Sequence, residues 1–169
     1  MNKSVSVIMP TYNEGGHIQD LICATIQALI TSGVRDYEII LVDDDSPDRT
    51  WEKAAQTTCE NPLKVKVIRR MKDRGLTASI REGIASAHSE VIIWMDCDFS
   101  HPPENIPQML YMIGQGYDVV VNSRYTIGGG EDRTGKGGPT QLILSKILNW
   151  SIRFLLKPSF LTTQVVLSR

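Results

Sequence analysis

The sequence predicts an α/β fold built on a doubly wound, mainly parallel sheet with helices on both faces. Short apolar runs of strand length alternate along the chain with segments whose apolar residues recur at helical spacing. The helical segments are roughly 10 to 13 residues long, which favours right-handed crossovers between parallel strands. The chain has 169 residues, of which 41% are hydrophobic and 22% are charged, and these values fit one globular domain.

The first half of the chain contains the pattern strand, loop and helix twice. The first strand-like run stops at Pro10, and the helical segment after it has a plausible end at Gly33. The second strand-like run ends in Asp43, Asp44 and Asp45, and a Ser-Pro turn then leads into the second helix.

The second half repeats this pattern. A helix entered through Gly75 follows a short third strand, and the fourth strand ends in Asp96 and Asp98 before a proline pair stops the ladder. In chain order, the predicted strands cover residues 5–10, 38–42, 65–68, 91–95 and 118–122, and the predicted helices cover residues 18–30, 51–58, 76–87 and 105–113.

A glycine-rich loop follows the fifth strand at residues 127–139 and holds six of the 13 glycines. Its composition predicts a mobile segment. Such a segment could be a simple linker, or a flap that becomes ordered over a bound ligand.

Charge and cysteine content exclude several classes of protein. The net charge of −1 provides no basic field for nucleic acid, so we expect no nucleic-acid partner. The sequence contains no uninterrupted run of about 18 apolar residues, so it predicts no membrane-spanning helix. Cys23, Cys59 and Cys97 are odd in number and far apart in sequence, so we expect neither a disulfide framework nor a zinc site. This cysteine pattern fits a reducing cytosol.

Three predicted strands end in polar or acidic clusters. Tyr12 and Glu14 follow the first strand, Asp43 to Asp45 the second, and Asp96 and Asp98 the fourth. Because ligands bind at the carboxyl ends of the strands in open α/β sheets, we expect these groups to converge on one edge. Clustered carboxylates raise one another's pKa unless a cation neutralises them, and paired carboxylate oxygens suit Mg²⁺ or Mn²⁺. Such an ion could hold a diphosphate.

Each member of this cluster also has a structural explanation. The acids after the second strand could cap a helix near Thr50, Tyr12 could be a packing residue, and Arg124 could form a surface ion pair. If Arg124 lies at the same edge, it is suited to a bidentate phosphate contact. No G-x-G-x-x-G follows the first strand and no phosphate-binding G-x-x-x-x-G-K-[ST] occurs, which disfavours dinucleotide oxidoreductases and P-loop enzymes.

Five segments of the chain form a recognisable set of motifs. They are VSVIMPTYNE (5–14), EIILVDDDSPDRT (38–50), RGLTASIREG (74–83), IIWMDCDFSHPPE (92–104) and NSRYTIGGG (122–130). Together they resemble family 2 glycosyltransferases of the GT-A fold, and within that family the dolichyl-phosphate (polyprenyl-phosphate) mannosyltransferases. The resemblance runs from about residue 5 to residue 160.

The resemblance implies a metal-dependent, inverting transfer of mannose from GDP-mannose to dolichyl or polyprenyl phosphate, with Mg²⁺ or Mn²⁺ as cofactor. It also implies a location in the cytoplasm, peripheral to the cytoplasmic face of the membrane. Asp98 and Arg124 match positions with catalytic roles. The nucleotide-sugar positions match Pro10, Tyr12, Glu14, Val42, Asp44, Asp96, Cys97, Asp98 and Arg124, and the metal positions match Asp96, Asp98 and Ser100.

The acceptor-phosphate site departs from the family pattern. Relatives carry a basic cluster before a serine in the helix after the flap, whereas this chain reads TQLILSK at residues 140–146. Arg124, Arg133 and Ser145 are the acceptor-phosphate candidates, and Lys136 or Lys146 could also supply the cation. Residues 142–156 carry an apolar stripe that could contact a membrane surface or pack in the core.

Other functions remain compatible with the residues. The chain could be another family 2 transferase that uses a UDP-sugar. A phospho-accepting receiver domain also places acids at strand ends, but it requires a lysine where this chain has Asn122, Ser123 and Arg124.

The C-terminal residues depart from the family after residue 160. We expect residues 1–160 to form a truncated GT-A catalytic domain and residues 161–169 to form an out-of-frame tail that is disordered or poorly packed. One possible coding sequence for residues 161–168, read in a shifted frame, gives Asp-Tyr-Thr-Ser-Gly-Phe-Ile, which is the family's missing motif. A frameshift near residue 160 would leave an inactive fragment, the third alternative.

Overall fold

A computed structural model describes residues 3–59, 64–99 and 102–122, together with the backbone of residues 164–168. All five predicted strands and four predicted helices are present, with bounds that differ by a few residues at most. The strands are β1 (Val5–Thr11), β2 (Tyr37–Asp43), β3 (Val65–Arg69), β4 (Val91–Met95), β5 (Val119–Asn122) and β6 (Gln164–Ser168). The helices are α1 (Ile18–Thr31), α2 (Thr50–Ala55), α3 (Leu76–Ser86) and α4 (Ile106–Gly114), which a 3₁₀ turn at Pro103–Asn105 precedes.

The strands form one sheet in the order β3-β2-β1-β4-β6-β5. The first four are parallel, and β6 runs antiparallel to both of its neighbours. Strand β1 is buried along its whole length, because β2 and β4 flank it and helices cover both of its faces.

Alternate residues of the strands point into two apolar layers, as the period of two requires. Val7 of β1 belongs to the larger layer, which contains the buried faces of α1 and α4 and Ala54 of α2. Ile8 of β1 belongs to the smaller layer, which α3 covers through Ile84. Helices on both faces confirm the doubly wound arrangement that the sequence predicted.

Strand β6 was not predicted. We expected residues 161–169 to be disordered or poorly packed, and for residues 164–168 this is wrong because they pair with β4 on one side and β5 on the other. The segment QVVLS has the β-branched composition of a strand. Its pairing satisfies backbone groups along the edges of β4 and β5, and these long-range partners are not evident from the local sequence.

A disulfide between Cys23 of α1 and Cys59, which follows α2, contradicts the expectation that the cysteines do not pair. The two residues are 36 positions apart in sequence, but their Cα atoms are 5.6 Å apart because α1 and α2 pack side by side. Cys97 is buried and free. The cysteine pattern therefore no longer supports the reducing compartment that was inferred from it. Within the described ranges, no helix has both the length and the apolar character needed to cross a bilayer.

Helix α3 approaches the sheet closely at Gly83. A Cβ atom at this position would overlap Cγ2 of Ile8 and lie 3.3 Å from Cγ2 of Val42. Both partners are fully buried and belong to the central strands, so neither can move without disturbing the sheet.

We expect Gly83→Ala to lower the free energy of unfolding by about 1–3 kcal/mol, because the added methyl group overpacks a buried contact. Gly114→Ala is the matched control, since nothing lies within 4 Å of a Cβ atom added there. Urea denaturation of both variants measures the difference. Equal stability of the two variants would contradict the close approach of α3.

Candidate functional site

The carboxyl ends of β1, β2 and β4 lie side by side at one edge of the sheet. Thr11 at the end of β1 pairs with Asp43 at the end of β2, and Ile8 pairs with Trp94 of β4. The loops that leave these strands therefore start next to one another. They carry the acidic and polar residues that the sequence predicted to converge.

The loop after β1 is held by the loop after β2. The backbone N–H groups of Asn13, Glu14 and Gly15 donate to Ser46 Oγ at 3.0 Å, Thr50 Oγ1 at 3.0 Å and Asp48 Oδ2 at 2.8 Å. Burial alone would raise the pKa of Asp48, but hydrogen bonds from Thr50 and the Gly15 N–H outweigh it and lower this pKa. The two loops form one hydrogen-bonded unit.

Asp44 is at the centre of a buried polar network. Its Oδ1 accepts hydrogen bonds from Arg70 Nη1 at 2.7 Å and Ser79 Oγ at 2.9 Å, and its Oδ2 accepts one from the Gly75 N–H at 2.6 Å. Arg70 also donates to Glu82 and to the Asp73 carbonyl. This network fixes the Asp44 carboxylate and ties the start of α3 to the end of β2.

A cavity of 450 Å³ opens beside this network. Arg69 contacts Asp45 Oδ1 through Nε at 2.7 Å and Nη2 at 2.5 Å, and Arg74 bonds the other carboxylate oxygen. The hydrogen bond from Arg69 lowers the pKa of Asp45. Trp51 lies under the Arg69 guanidinium, 4.2 Å from ring centroid to Cζ. The lining residues are Tyr12, Asp45, Ser46, Pro47, Arg49, Trp51, Arg69 and Arg74.

The composition of this cavity suits a flat, polar and anionic ligand. Two aromatic rings offer stacking surfaces, and three arginines exceed the one aspartate in charge. The guanidinium groups can bind phosphate or carbonyl oxygens.

A second group of acids surrounds Glu14. Burial raises the pKa of Glu14, His17 opposes this shift, and the charges of Asp98, Asp48 and Asp96 add to it. These carboxylates are therefore close enough to repel one another. Asp98 is exposed and Asp96 is half-buried, whereas burial, with help from these acids, raises the pKa of the Cys97 thiol between them.

The acids at the end of β4 fit a divalent ion that takes some of its ligands from the protein and the others from a substrate. In the described part of the chain, no three Asp, Glu, His or Cys side chains are grouped so that they could hold a metal by themselves. Asp96 and Asp98 could supply carboxylate oxygens, and water and phosphate oxygens would then complete the shell. Mg²⁺ is commonly bound in this way, by one or two carboxylates together with phosphates.

Most of the sequence-predicted site residues lie at this edge. Pro10 and Val42 are partners in the β1–β2 register, and their side chains are buried in the sheet. Tyr12, Glu14, Asp44, Asp96, Cys97 and Asp98 all lie in the loops beyond the strands. Six candidate residues lie outside the described residues, namely Ser100, Arg124, Arg133, Lys136, Ser145 and Lys146.

The sequence analysis missed several residues of the site. Arg69 and Arg70 lie at the end of β3 and could have been found by examining that strand end as well. Arg74 lies in the motif RGLTASIREG, but the sequence analysis gave it no role in the site. Trp51 and His17 lie on or beside helices, and no local motif marks them as parts of a site. Their roles depend on which strands are neighbours.

Comparison with known proteins identifies relatives. The family model Glycosyl transferase family 2 matches residues 6–169. The chain is 47% identical over 125 residues to a dolichol-phosphate mannosyltransferase of Pyrococcus furiosus, which covers 74% of this chain and 34% of the relative. It is 36% identical over 118 residues to an undecaprenyl-phosphate 4-deoxy-4-formamido-L-arabinose transferase of Pectobacterium carotovorum. This alignment covers 70% of this chain and 36% of the relative. The chain thus spans about a third of the length of these curated relatives.

Solved structures share the fold. Mannosyl-3-phosphoglycerate synthase from Rubrobacter xylanophilus aligns with a TM-score of 0.68 at 17% identity, over 98% of this chain and 53% of that chain. A mannosyltransferase from Pyrobaculum calidifontis, solved with GDP-Man and Mn²⁺, aligns with a TM-score of 0.53 at 24% identity, over 65% and 32%. These similarities confirm the GT-A architecture that the sequence predicted.

We expect Arg70→Met to lower the free energy of unfolding by about 3–5 kcal/mol, because it leaves the buried Asp44 carboxylate without its counter-charge. Arg81→Met, at an exposed position of the same helix as Ser79, is the control. Guanidinium denaturation measures both. A loss below about 1 kcal/mol for Arg70→Met would mean that the network does not hold Asp44.

Proposed function

The chain belongs to glycosyl transferase family 2, and from this premise we propose that it transfers mannose from GDP-mannose to dolichyl or another polyprenyl phosphate in a metal-dependent, inverting reaction. The observation that carries the proposal is the single sheet edge where the acids around Glu14 lie beside the arginine-rich cavity. The names of both curated relatives combine a polyprenyl-type phosphate with the transfer of a sugar, and one of the two is named a mannosyltransferase. The family assignment replaces the receiver-domain alternative.

The cavity supports binding of the nucleoside. Tyr12 and Trp51 offer rings for the base, and Asp45 beside Arg74 presents hydrogen-bond acceptors next to donors. Guanine carries donors at N1 and N2 beside acceptors at O6 and N7, so its edge is complementary to this pair. The ribose would lie toward Glu14 and Asp44, with Pro10 and Val42 forming the floor and Asp96 and Cys97 lying against the nucleotide.

The acids at the end of β4 support binding of the diphosphate. Asp98, with Asp96 and Ser100, would hold Mg²⁺ or Mn²⁺, and when bound this ion supplies the positive charge that stabilises the departing diphosphate. Arg124 would contact the donor and acceptor phosphates, and Arg133 and Ser145 the acceptor phosphate. The arginine-rich cavity would thus bind the base of the donor, and the acids at the end of β4 would bind its diphosphate through the metal ion.

The reaction requires no dedicated general base. The second pKa of a phosphate monoester is about 6, so a polyprenyl phosphate is largely dianionic at neutral pH. The protein has to align this nucleophile with the sugar C1 and exclude water. A single in-line displacement at C1 inverts the anomeric configuration. Because the acceptor is a lipid, the reaction would take place at the cytoplasmic face of a membrane, with the protein bound peripherally.

We expect Asp98→Asn to reduce transfer by roughly 10²-fold or more, because the metal ion that stabilises the departing diphosphate would lose a carboxylate ligand. Asp118→Asn makes the same change of charge at an exposed position next to β5 and should leave transfer unchanged. Transfer of radiolabelled mannose to polyprenyl phosphate, with circular dichroism to check the fold, measures both variants. Wild-type activity in Asp98→Asn would remove Asp98 from the proposed metal site.

We expect the purified chain to bind GDP in the presence of Mn²⁺ about tenfold or more tightly than UDP or ADP, since the cavity edge matches guanine and each base contact contributes about 1–3 kcal/mol. Calorimetric titration with the three nucleotides tests this. Preference for UDP would favour the alternative, a family 2 transferase that uses a UDP-sugar. Transfer assays with GDP-mannose and UDP-glucose on the same protein test whether the chain is an inactive fragment.

A further inference from the structure

We propose that His17 is a positioning residue that fixes the loop of Asp96, Cys97 and Asp98 against Glu14. The inference rests on the proposed function, in which this loop holds the metal and the diphosphate. His17 itself would touch neither the substrate nor the metal. Its role would be to set the position of the backbone between the two aspartates.

The first observation is the pair of contacts made by one imidazole nitrogen. Nε2 of His17 lies 2.6 Å from the Cys97 carbonyl oxygen and 3.1 Å from Oε2 of Glu14. Both partners are acceptors, so Nε2 must carry a hydrogen and donate it. A single N–H group thus connects the loop after β1 with the loop after β4, across 80 positions in sequence.

The second observation is the anchoring of His17. It directly precedes α1, its N–H donates to the Glu14 carbonyl at 3.2 Å, and its own carbonyl accepts from Leu21 at 3.0 Å. Ile18 and Leu21 are fully buried beneath the sheet, so α1 is fixed by the core. Because α1 is fixed, the imidazole that precedes it can hold the Cys97 carbonyl in a fixed position.

The third observation concerns the loop that His17 contacts. The parallel pairing of β4 with β1 ends at Trp94, and its pairing with β6 ends at Met95. The backbone from Asp96 onward has left the sheet ladder. Phe99, which follows, has a positive φ of 57°, and its ring lies 5.5 Å from the His17 ring between centroids. A loop without ladder bonds and with an uncommon backbone conformation needs other contacts to hold it.

The hydrogen bond also opposes electrostatic repulsion. Burial raises the pKa of Glu14, and the nearby charges of Asp98 and Asp96 raise it further. Without a donor between them, the two loops would repel each other before any cation arrives. The Nε2–H group lies where this repulsion acts.

Two variants separate the hydrogen bond from the packing of the ring. His17→Phe keeps an aromatic ring beside Phe99 but has no N–H donor. His17→Gln places an amide N–H at a similar distance from the backbone and removes the ring. If packing alone mattered, Phe would substitute better than Gln. If the N–H matters, Gln restores what Phe loses.

Cys97 provides a direct readout of the loop. Cys23 and Cys59 are bonded to each other, so Cys97 is the remaining thiol, and only 3% of it is exposed. We expect its alkylation by iodoacetamide, followed by mass spectrometry of the peptide that contains Cys97, to be about 5- to 30-fold faster in His17→Phe than in the wild type. His17→Gln should react at close to the wild-type rate.

Two control variants test whether the loss of any histidine, or a general loss of stability, would accelerate the alkylation of Cys97. His88→Phe changes an exposed histidine and should not alter the rate. Ile22→Val weakens the buried face of α1 without touching the loop, and shows how far a general loss of stability accelerates the reaction. The proposal requires Cys97 to be alkylated faster in His17→Phe than in Ile22→Val when the two variants have the same free energy of unfolding.

Nucleotide binding links the loop to function. Titration of Mn²⁺ at a fixed concentration of GDP should give a dissociation constant about 5- to 30-fold higher for His17→Phe, with recovery in His17→Gln. Wild-type values for His17→Phe in both assays would overturn the proposal while leaving the proposed function intact. Failure of the wild-type protein to bind GDP with Mn²⁺ would overturn the proposed function, and the Cys97 rates would still decide whether His17 holds the loop.

Discussion

The parallel pairing of β1 with β2 and β4 is the constraint on which the rest of the structure depends. It places three strand ends at one edge and makes their loops neighbours. A helix must follow each strand to return the chain to the start of the next, so each loop also leads into a helix. The site is therefore built from strand-to-helix connections, and its residues are held by the buried strand on one side and the helix on the other.

The acids at this edge fall into two groups with different surroundings. Asp43 and Asp44 accept hydrogen bonds from serine, arginine and backbone N–H groups, and these bonds compensate for the loss of water. The pKa of Glu14, by contrast, is raised by burial and by the nearby carboxylates Asp98 and Asp96. The first group stabilises the loops. The second group has the excess negative charge that a cation would neutralise.

The two faces of the sheet support this edge differently. On the face of α3, Gly83 lets the helix lie close against Ile8 and Val42, and the Arg70 network fixes the start of the same helix. On the other face, the Cys23–Cys59 disulfide ties α1 to the segment after α2. Because α1, α2 and α3 each begin at a loop of the site, contacts far from the edge restrict the motion of the residues at the edge.

The sequence by itself determined the α/β class, the family and most of the acids at the edge, because strand length, helical periodicity and motif spacing are local properties. It did not determine that Cys23 meets Cys59, that residues 164–168 pair with β4 and β5, or that Arg69 and Trp51 line a cavity with Tyr12. These features depend on which elements become neighbours in space. The role of His17 is the clearest case, since nothing near it in sequence identifies the Cys97 carbonyl as its partner. Only the sheet order, which brings β1 beside β4, places that acceptor within reach of its Nε2–H group.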